Sequence, residues 1–381
     1  MVFNEKKKVL FITGTRADYG KIKSLMKILN DDARFEVYIF ATGMHMLSNY
    51  GFTYKEIDKD GFEYIYPFIN QKYETNMDVA LSNTISGLSY YINESNPDAI
   101  IVHGDRLEAL AGAIVGSFNN IRVFHIEGGE VSGTIDESIR HAITKFSHFH
   151  FVSNDDAKKR IMQLGEPEKN IFVFGSPDID IMYSNKLPSI DEVKKYYEIP
   201  FDNYNILIYH PVTTEETMIE ENIRSVIQAV IDSNDNFVVI YPNNDFGSDI
   251  ILKEYDKFKN NAKFRVFPSM RFEYFLSLLK NADCMVGNSS SGIRETSIYG
   301  IPTVDIGTRQ SGRYSKSKSK NIIHVNENES IVDALHYIKN KSFNTFSQFG
   351  DGESDKLFLD ILVKSPIWEG NIQKQFIDID F

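Results

Sequence analysis

Carboxylates, cations and hydroxyls gather where the hydrophobic runs of this chain stop. The segments Val102-His-Gly-Asp-Arg-Leu-Glu108 and His125-Ile-Glu-Gly-Gly-Glu130 both end β-branched runs, which leaves Asp105 and Glu127 at the exits of buried segments. A carboxylate in such a place can act as a general acid or base whose proton affinity the site tunes. For Asp105 the competing reading is a helix N-cap, because an apolar helical pattern begins just after it. Gly128 and Gly129 point to a close approach of the backbone beside Glu127. In Asp136-Glu-Ser-Ile-Arg-His141, Asp136 and Arg140 are spaced to share one helix face, as are Glu137 and His141. An ordinary helix pair explains one such match. The glycine-rich loop before it, with Glu127 and Glu130, favours a site role for Glu130, Asp136 and Arg140.

A second set of residues suits an anion. Gly14-Thr-Arg-Ala-Asp-Tyr-Gly-Lys21 places Arg16 and Lys21 near an expected helix N-terminus. It is not a Walker A loop, because the glycines are too far apart and Ile22 stands where a magnesium-binding hydroxyl would be. Nor is it the Gly-x-Gly-x-x-Gly of nicotinamide and flavin sites. Further along, Gly287-Asn-Ser-Ser-Ser-Gly-Ile-Arg-Glu295 offers Ser289, Ser290, Gly292 and free backbone N–H groups at a helix opening, a cradle for phosphate. Arg309 and Arg313 in Gly307-Thr-Arg-Gln-Ser-Gly-Arg313 add cations for the same charge. His210, before Pro211, and Asn243, in Tyr241-Pro-Asn-Asn-Asp245, follow two more strand-like runs. His148 and His150 lack a carboxylate at ligand spacing, so structural histidines are expected and no metal.

These groups must be positioned by a regular scaffold. Strand-like runs are expected at 9–13, 37–41, 64–68, 99–103, 123–126, 150–153 and 171–174. After a break, six more are expected at 206–209, 237–241, 264–267, 284–287, 303–306 and 322–325. Amphipathic stretches separate them, the clearest being Leu107, Leu110, Ala111, Ile114, Val115 and Phe118 on one helix face. Alternation of this kind predicts an α/β chain of two doubly wound, Rossmann-like parallel-sheet domains facing a central cleft at their strand ends. The expected boundaries are 1–184 and 201–364, with the polar, proline-bearing stretch 185–200 as hinge. The Ser- and Lys-rich stretch 311–320 reads as a mobile surface loop.

At 381 residues the chain exceeds what one core usually serves, and 42% hydrophobic content suffices for two. Forty-one basic against 53 acidic side chains leave a net charge of −12, which argues against nucleic acid or an anionic membrane as partner. The lone Cys284, inside a strand-like run, reads as an inert core thiol in a reducing compartment, so a cytoplasmic protein is expected. No run approaches membrane-spanning length.

Six motifs in order carry a resemblance that spans almost the whole chain. Gly14-Thr-Arg-Ala-Asp-Tyr-Gly, His103-Gly-Asp-Arg, His125-Ile-Glu-Gly-Gly-Glu, Asp136-Glu-Ser-Ile-Arg-His, His210-Pro-Val-Thr-Thr and Asn288-Ser-Ser-Ser-Gly-Ile-Arg-Glu resemble the hydrolysing UDP-N-acetylglucosamine 2-epimerases of bacterial sialic acid synthesis. The resemblance implies the glycosyltransferase type B fold, with UDP held mainly by the second domain and the sugar against the first. It implies a C-terminal helix, about 365–381, crossing back to the first domain, and a homodimer or homotetramer. Carried over by position, Arg16 and Arg106 contact the diphosphate. His210, Asn243, Ser289, Ser290, Glu295 and Arg309 hold UDP, with Glu295 on the ribose. Asp105, Glu127 and Asp136 are the acid and base residues, and His210 is counted with them as catalytic. Gly20 stands where some relatives carry Ser, so one hydroxyl contact to UDP is missing. The implied reaction needs no cofactor and releases N-acetylmannosamine and UDP. Rival readings are the same chemistry on a UDP-2,4-diacetamido-2,4,6-trideoxy sugar, as in legionaminic acid synthesis, a UDP-sugar glycosyltransferase, and a nucleotide-sugar sensor without turnover.

Overall fold

Short β-branched and aromatic runs favour extended backbone, and where they lack polar alternation both faces of the strand must be covered. In a computed structural model, thirteen strands form among the described residues. Those are residues 5–72, 75–132, 135–184, 187–212, 214–314, 319–338, 341, 343–346, 349–350, 352–370 and 372–378. The first seven are β1 (Lys7–Thr13), β2 (Phe35–Ala41), β3 (Tyr64–Pro67), β4 (Ala99–His103), β5 (Arg122–Ile126), β6 (Phe149–Val152) and β7 (Ile171–Val173). The other six are β8 (Asn205–Ile208), β9 (Phe237–Ile240), β10 (Phe264–Phe267), β11 (Cys284–Gly287), β12 (Thr303–Ile306) and β13 (Ile322–Val325).

All pairings are parallel, and the orders are β3-β2-β1-β4-β5-β6-β7 and β10-β9-β8-β11-β12-β13. Each sheet therefore reverses its winding beside its first strand, between β1 and β4 and between β8 and β11. Crevices at the carboxyl ends of strands at such a switch are where doubly wound sheets bind ligands.

Two units divide the chain: 1–130, 136–184 and 348–381 in the first, 131–135 and 185–347 in the second. In the first, Ile22, Leu25, Met26 and Leu29 of the helix Arg16–Asn30 cover one sheet face. Leu88, Ala109, Ala113 and Ile143 cover the other. In the second unit, Ile223, Val226, Ile227 and Val230 of the helix Ile219–Asp232 pack on Leu207, Val239 and Val286. Cys284 is buried in that core.

Three boundaries differ from expectation. The stretch 185–200, expected as a hinge, carries a helix, Ile190–Tyr196, that belongs to the second unit. It is docked there by buried Val193, by Ser277 Oγ donating to Pro188 O at 2.8 Å and by Tyr274 Oη donating to Glu192 at 2.9 Å. Residues 354–364, expected in the second domain, form a helix of the first, because the Phe358 ring packs on Phe151 and Phe174 there. The segment 365–381 returns to the first unit but is no α-helix among its described residues, where Pro366–Trp368 makes one 3-10 turn. Side chains anchor it instead, Arg122 donating to Ile367 O and Trp368 O at 2.8 Å each. The Ser- and Lys-rich loop 311–320 lies partly outside the described residues, while Tyr314 at its start donates to Asp305 at 2.9 Å. No helix among the described residues is long and apolar enough to cross a membrane.

Candidate active site

The first turn after β1 is a capped helix start. Thr15 takes extended backbone and its hydroxyl accepts from Asp18 N at 3.1 Å, satisfying one of the donors a helix N-terminus leaves open. The Asp18 carboxylate turns back to accept from Thr13 Oγ1 at 2.7 Å and Gly14 N at 3.3 Å. Its other oxygen lies 2.6 Å from Nδ1 of His103, the last residue of β4. His103 Nε2 lies 3.3 Å from Glu127 Oε2, just past β5. The imidazole is thus held between the carboxyl groups of Asp18 and Glu127. Burial by itself would push its pKa down, but the bonds to Asp18 and Glu127 outweigh burial and raise it to about 9.

Glu127 is buried and adopts φ +61°, a left-handed conformation that costs a non-glycine residue roughly 1–3 kcal/mol. Strain of this kind survives where the surroundings enforce it. Glu127 Oε1 is hydrogen-bonded to Ser176 Oγ, which also lies 2.5 Å from Asp178 Oδ1. The fully buried Asp178 is met by Lys21 Nζ at 3.1 Å. This corrects the anion-binding expectation for Lys21, since a carboxylate without solvent demands a countercharge. The close approach expected at Gly128 and Gly129 is to the protein itself. A Cβ on Gly129 would lie 2.4 Å from Ala157 O, and one on Gly128 2.8 Å from His125 Nδ1.

Asp105 does not cap the helix Leu107–Phe118, whose cap is Arg106 without a side-chain bond. It pairs instead with the Arg140 guanidinium, which is buried and also donates to Glu130 O at 3.1 Å. So Arg140 serves Asp105 rather than Asp136 one helical turn away. Asp136 is half-buried in the first turn of the helix Ile135–Phe146. Ser153 Oγ donates to Glu130, Arg16 donates to Glu56 at 2.6 Å and Arg106 to Glu108 at 3.3 Å. His125 locks this corner, its Nε2 lying 2.8 Å from Gly104 O and its Nδ1 3.1 Å from Thr144 Oγ1. Burial pushes it down to about 3, so it stays neutral.

In the second unit Asn288 organises the switch. Its amide spans the end of β8, Oδ1 accepting from His210 N at 2.7 Å and Nδ2 donating to His210 O at 2.8 Å. Asn288 O accepts from Arg309 at 3.2 Å and Gln310 at 2.8 Å. His210 Nδ1 accepts from Asn243 N at 3.0 Å, which places the proton of the neutral ring on Nε2 as a donor. Ser289 caps the 3-10 turn Ser290–Gly292, its Oγ accepting from Ser291 N at 3.3 Å. Ser291 Oγ donates to the fully buried Glu295 at 3.3 Å, and Arg313 donates to Gln310 at 3.2 Å.

Two expectations are corrected here. The helix that follows, Glu295–Tyr299, is only five residues long, so backbone N–H groups and hydroxyls, more than a helix dipole, are what this loop offers an anion. A Cβ on Gly292 would lie 2.8 Å from Thr303 Cγ2, which makes that glycine a packing requirement.

Sequence reasoning missed Asp18, His103, Ser176 and Asp178 as site residues. The Thr15-x-x-Asp18 spacing of a helix cap was the legible signal for Asp18. His148 Nδ1 accepts from Val123 N at 2.9 Å, and His150 Nε2 lies 3.2 Å from Glu166. Among the described residues no group of three or more His, Cys, Asp or Glu is placed to hold a metal ion.

The family described as UDP-N-acetylglucosamine 2-epimerase matches residues 27–363. A UDP-N-acetylglucosamine 2-epimerase of Neisseria meningitidis serogroup B is 46% identical over 98% of this chain and 100% of its own length. A UDP-N,N'-diacetylbacillosamine 2-epimerase (hydrolyzing) of Legionella pneumophila is 34% identical over 95% of this chain and 97% of its own. The crystal structure of a Methanocaldococcus jannaschii UDP-GlcNAc 2-epimerase with UDP-GlcNAc and UDP superposes with a TM-score of 0.78 at 22% identity, covering 93% of this chain and 99% of that one. That likeness shows a shared fold of two Rossmann-like domains.

Proposed function

The chain belongs to the UDP-N-acetylglucosamine 2-epimerase family, and from that premise we propose that it is a hydrolysing member, converting UDP-N-acetylglucosamine and water to N-acetylmannosamine and UDP. The observation that carries the reading is the set of half-buried Asp18 and His103 and buried Glu127, in the first turn after β1 and at the ends of β4 and β5, beside the Asp105–Arg140 pair. Several proton-carrying groups with fixed partners are what a reaction with proton loss and proton gain at one carbon requires.

Carbon 2 of the sugar is not acidic, so its proton can leave only as the bond from carbon 1 to UDP breaks. A carboxylate among Asp105, Glu127 and Asp136 takes the proton, and the electron pair of the broken bond departs with UDP. Arg309, His210 Nε2–H, Asn243 and the Ser289–Ser290 loop carry that departing charge, with Arg16 and Arg106 on the diphosphate and Glu295 on the ribose. Water then adds its hydroxyl at carbon 1 of the glycal-like intermediate while a proton enters carbon 2 from the opposite face. The likeness to the Legionella relative, a hydrolyzing 2-epimerase, supports water as the acceptor. The same relative favours a second reading, the identical chemistry on a UDP-2,4-diacetamido-2,4,6-trideoxy sugar. A cytoplasmic homo-oligomer that supplies sialic acid synthesis completes the proposal, on the strength of the motif resemblance.

Each candidate sugar nucleotide is incubated with the protein in heavy water and followed by NMR. Free N-acetylmannosamine with deuterium at carbon 2, and UDP formed without an added acceptor, is the expected result. UDP formed only with an acceptor would convert the reading to a glycosyltransferase, and binding without turnover to a sensor.

A further inference from the structure

Behind Glu127 lies a chain of buried polar groups that the proposed reaction does not by itself require. Ser176 Oγ touches Glu127 Oε1 on one side and lies 2.5 Å from Asp178 Oδ1 on the other, and Asp178 Oδ2 meets Lys21 Nζ at 3.1 Å. A hydroxyl has one hydrogen, so it can donate to only one of two carboxylates. The other must donate to it, which requires a proton of its own. Lys21 stands on the far side of Asp178 and holds it as the anion, so the Ser176 hydrogen goes to Asp178 and its lone pair faces Glu127.

We propose that Ser176 and Asp178 are positioning residues that keep Glu127 protonated, which makes Glu127 the acid rather than the base of the reaction proposed above. The donor order is Glu127 Oε1–H to Ser176 Oγ, then Ser176 O–H to Asp178, with Asp178 ion-paired to Lys21. The remaining oxygen of Glu127, its carbonyl oxygen, faces His103 Nε2 at 3.3 Å, and His103 Nδ1 donates to Asp18 at 2.6 Å. With Glu127 neutral, Asp18, whose bond raises the His103 pKa more than any other contact, is what keeps the ring a cation; counting Lys21 and His103 as cations and Asp18 and Asp178 as anions, these groups balance with one proton on Glu127. A buried site favours that balance over an uncompensated charge. The titratable groups that face the relay include Asp18 and Lys21 from the helix Arg16–Asn30, His103 from β4 and Asp178 from its own segment. Asp180 faces away, accepting from Ser354 N and Asp355 N at 2.9 Å each. The proton Glu127 gives to carbon 2 returns from water between turnovers.

This inference rests on the functional reading, so the test has a part that needs no substrate. Infrared difference spectra at neutral pH, wild type against Glu127→Gln, should show a protonated carboxyl band belonging to Glu127. Asp178→Asn removes the carboxylate that claims the Ser176 hydrogen, so the hydroxyl turns to Glu127 and the band converts to carboxylate. If that variant folds poorly, Ser176→Ala, which removes the acceptor of the Glu127 proton, should shift the band to higher frequency, as for a carboxyl group without its hydrogen-bond partner. Ser176→Thr, which keeps the hydroxyl, keeps the band. In turnover, the high-pH limb of kcat/KM for UDP release should move down by about one pH unit or more in Asp178→Asn and Ser176→Ala. Absence of the band in wild type, or its survival unchanged in both Asp178→Asn and Ser176→Ala, overturns the relay. Failure of wild type to release UDP from either sugar nucleotide, with the band present, overturns the functional reading alone.

Discussion

His103 Nδ1 lies 2.6 Å from Asp18 Oδ1, although the two residues are 85 positions apart. The bond joins the first turn after β1 to the end of β4, across the point where the first sheet reverses its winding. It also fixes the charge of the ring, because Asp18 stabilises the imidazolium form that burial opposes.

Asp18→Asn should therefore leave His103 neutral at pH 7 and lower turnover by about ten- to a hundredfold, if the cation is needed to hold Glu127. The linkage to stability has a definite sign. A histidine raised from 6.5 to about 9 in the folded state contributes stability fully below pH 6.5, and loses it as pH rises towards 9. Thermal melts of wild type and His103→Gln should differ most at pH 6 and converge as pH climbs through that window.

Asp105→Asn and Glu127→Gln should each cut turnover by about 10²–10⁴-fold with UDP binding retained, as expected of groups that move protons rather than hold the nucleotide. Calorimetric titration with UDP beside a UDP-release assay separates the two effects. Unimpaired turnover in either variant removes that residue from the acid–base set.

Arg309→Ala should act in the opposite way and weaken UDP binding by about 10- to 100-fold, the loss of one charge-assisted contact. Part of the loss comes through Asn288, whose carbonyl accepts from Arg309 at 3.2 Å and whose amide holds His210. An unchanged Kd for UDP would exclude Arg309 from the nucleotide site.

Gly287→Ala should destabilise the second unit severely. The residue has φ +126°, and a Cβ there would lie 2.0 Å from Ile208 O on the neighbouring strand, a clash with backbone that cannot turn aside. Soluble yield and thermal melting measure it, and a variant melting like wild type would mean that β8 and β11 approach less closely than described.

Glu166 ties the C-terminal segment to the first unit, with Lys374 at 2.6 Å, Lys145 at 2.8 Å and His150 at 3.2 Å. Burial raises its pKa, but the His150 bond and the two ammonium groups outweigh it and hold Glu166 at about 2. Its stabilisation is present above the usual 4.5 and is lost as pH falls towards 2. Glu166→Gln should cost on the order of 2 kcal/mol at neutral pH, discounted because burial keeps His150 largely neutral. Denaturant midpoints of the two proteins should meet near pH 2.

Local pattern determined the scaffold. The runs Ala99–His103, Phe264–Phe267, Cys284–Gly287, Thr303–Ile306 and Ile322–Val325, and the helix Leu107–Phe118, begin and end where periodicity and β-branching place them. These preferences act over a few residues, so they are written in the sequence, as is the concentration of Asp105, Glu127, His210 and Ser289 at strand exits. Pairing acts through space, and tertiary structure decided it. Arg140 went to Asp105 instead of Asp136, and Lys21 to Asp178 instead of a ligand, because a buried charge, Arg140 in one pair and Asp178 in the other, must find its counterpart wherever the fold brings one. The stretch 354–364 joined the first unit because Phe358 finds Phe151 and Phe174 there, a contact that no local spacing encodes. For the same reason Ser176, 49 residues from Glu127, carried no signal in sequence, and only the folded chain sets its single hydrogen between two acids.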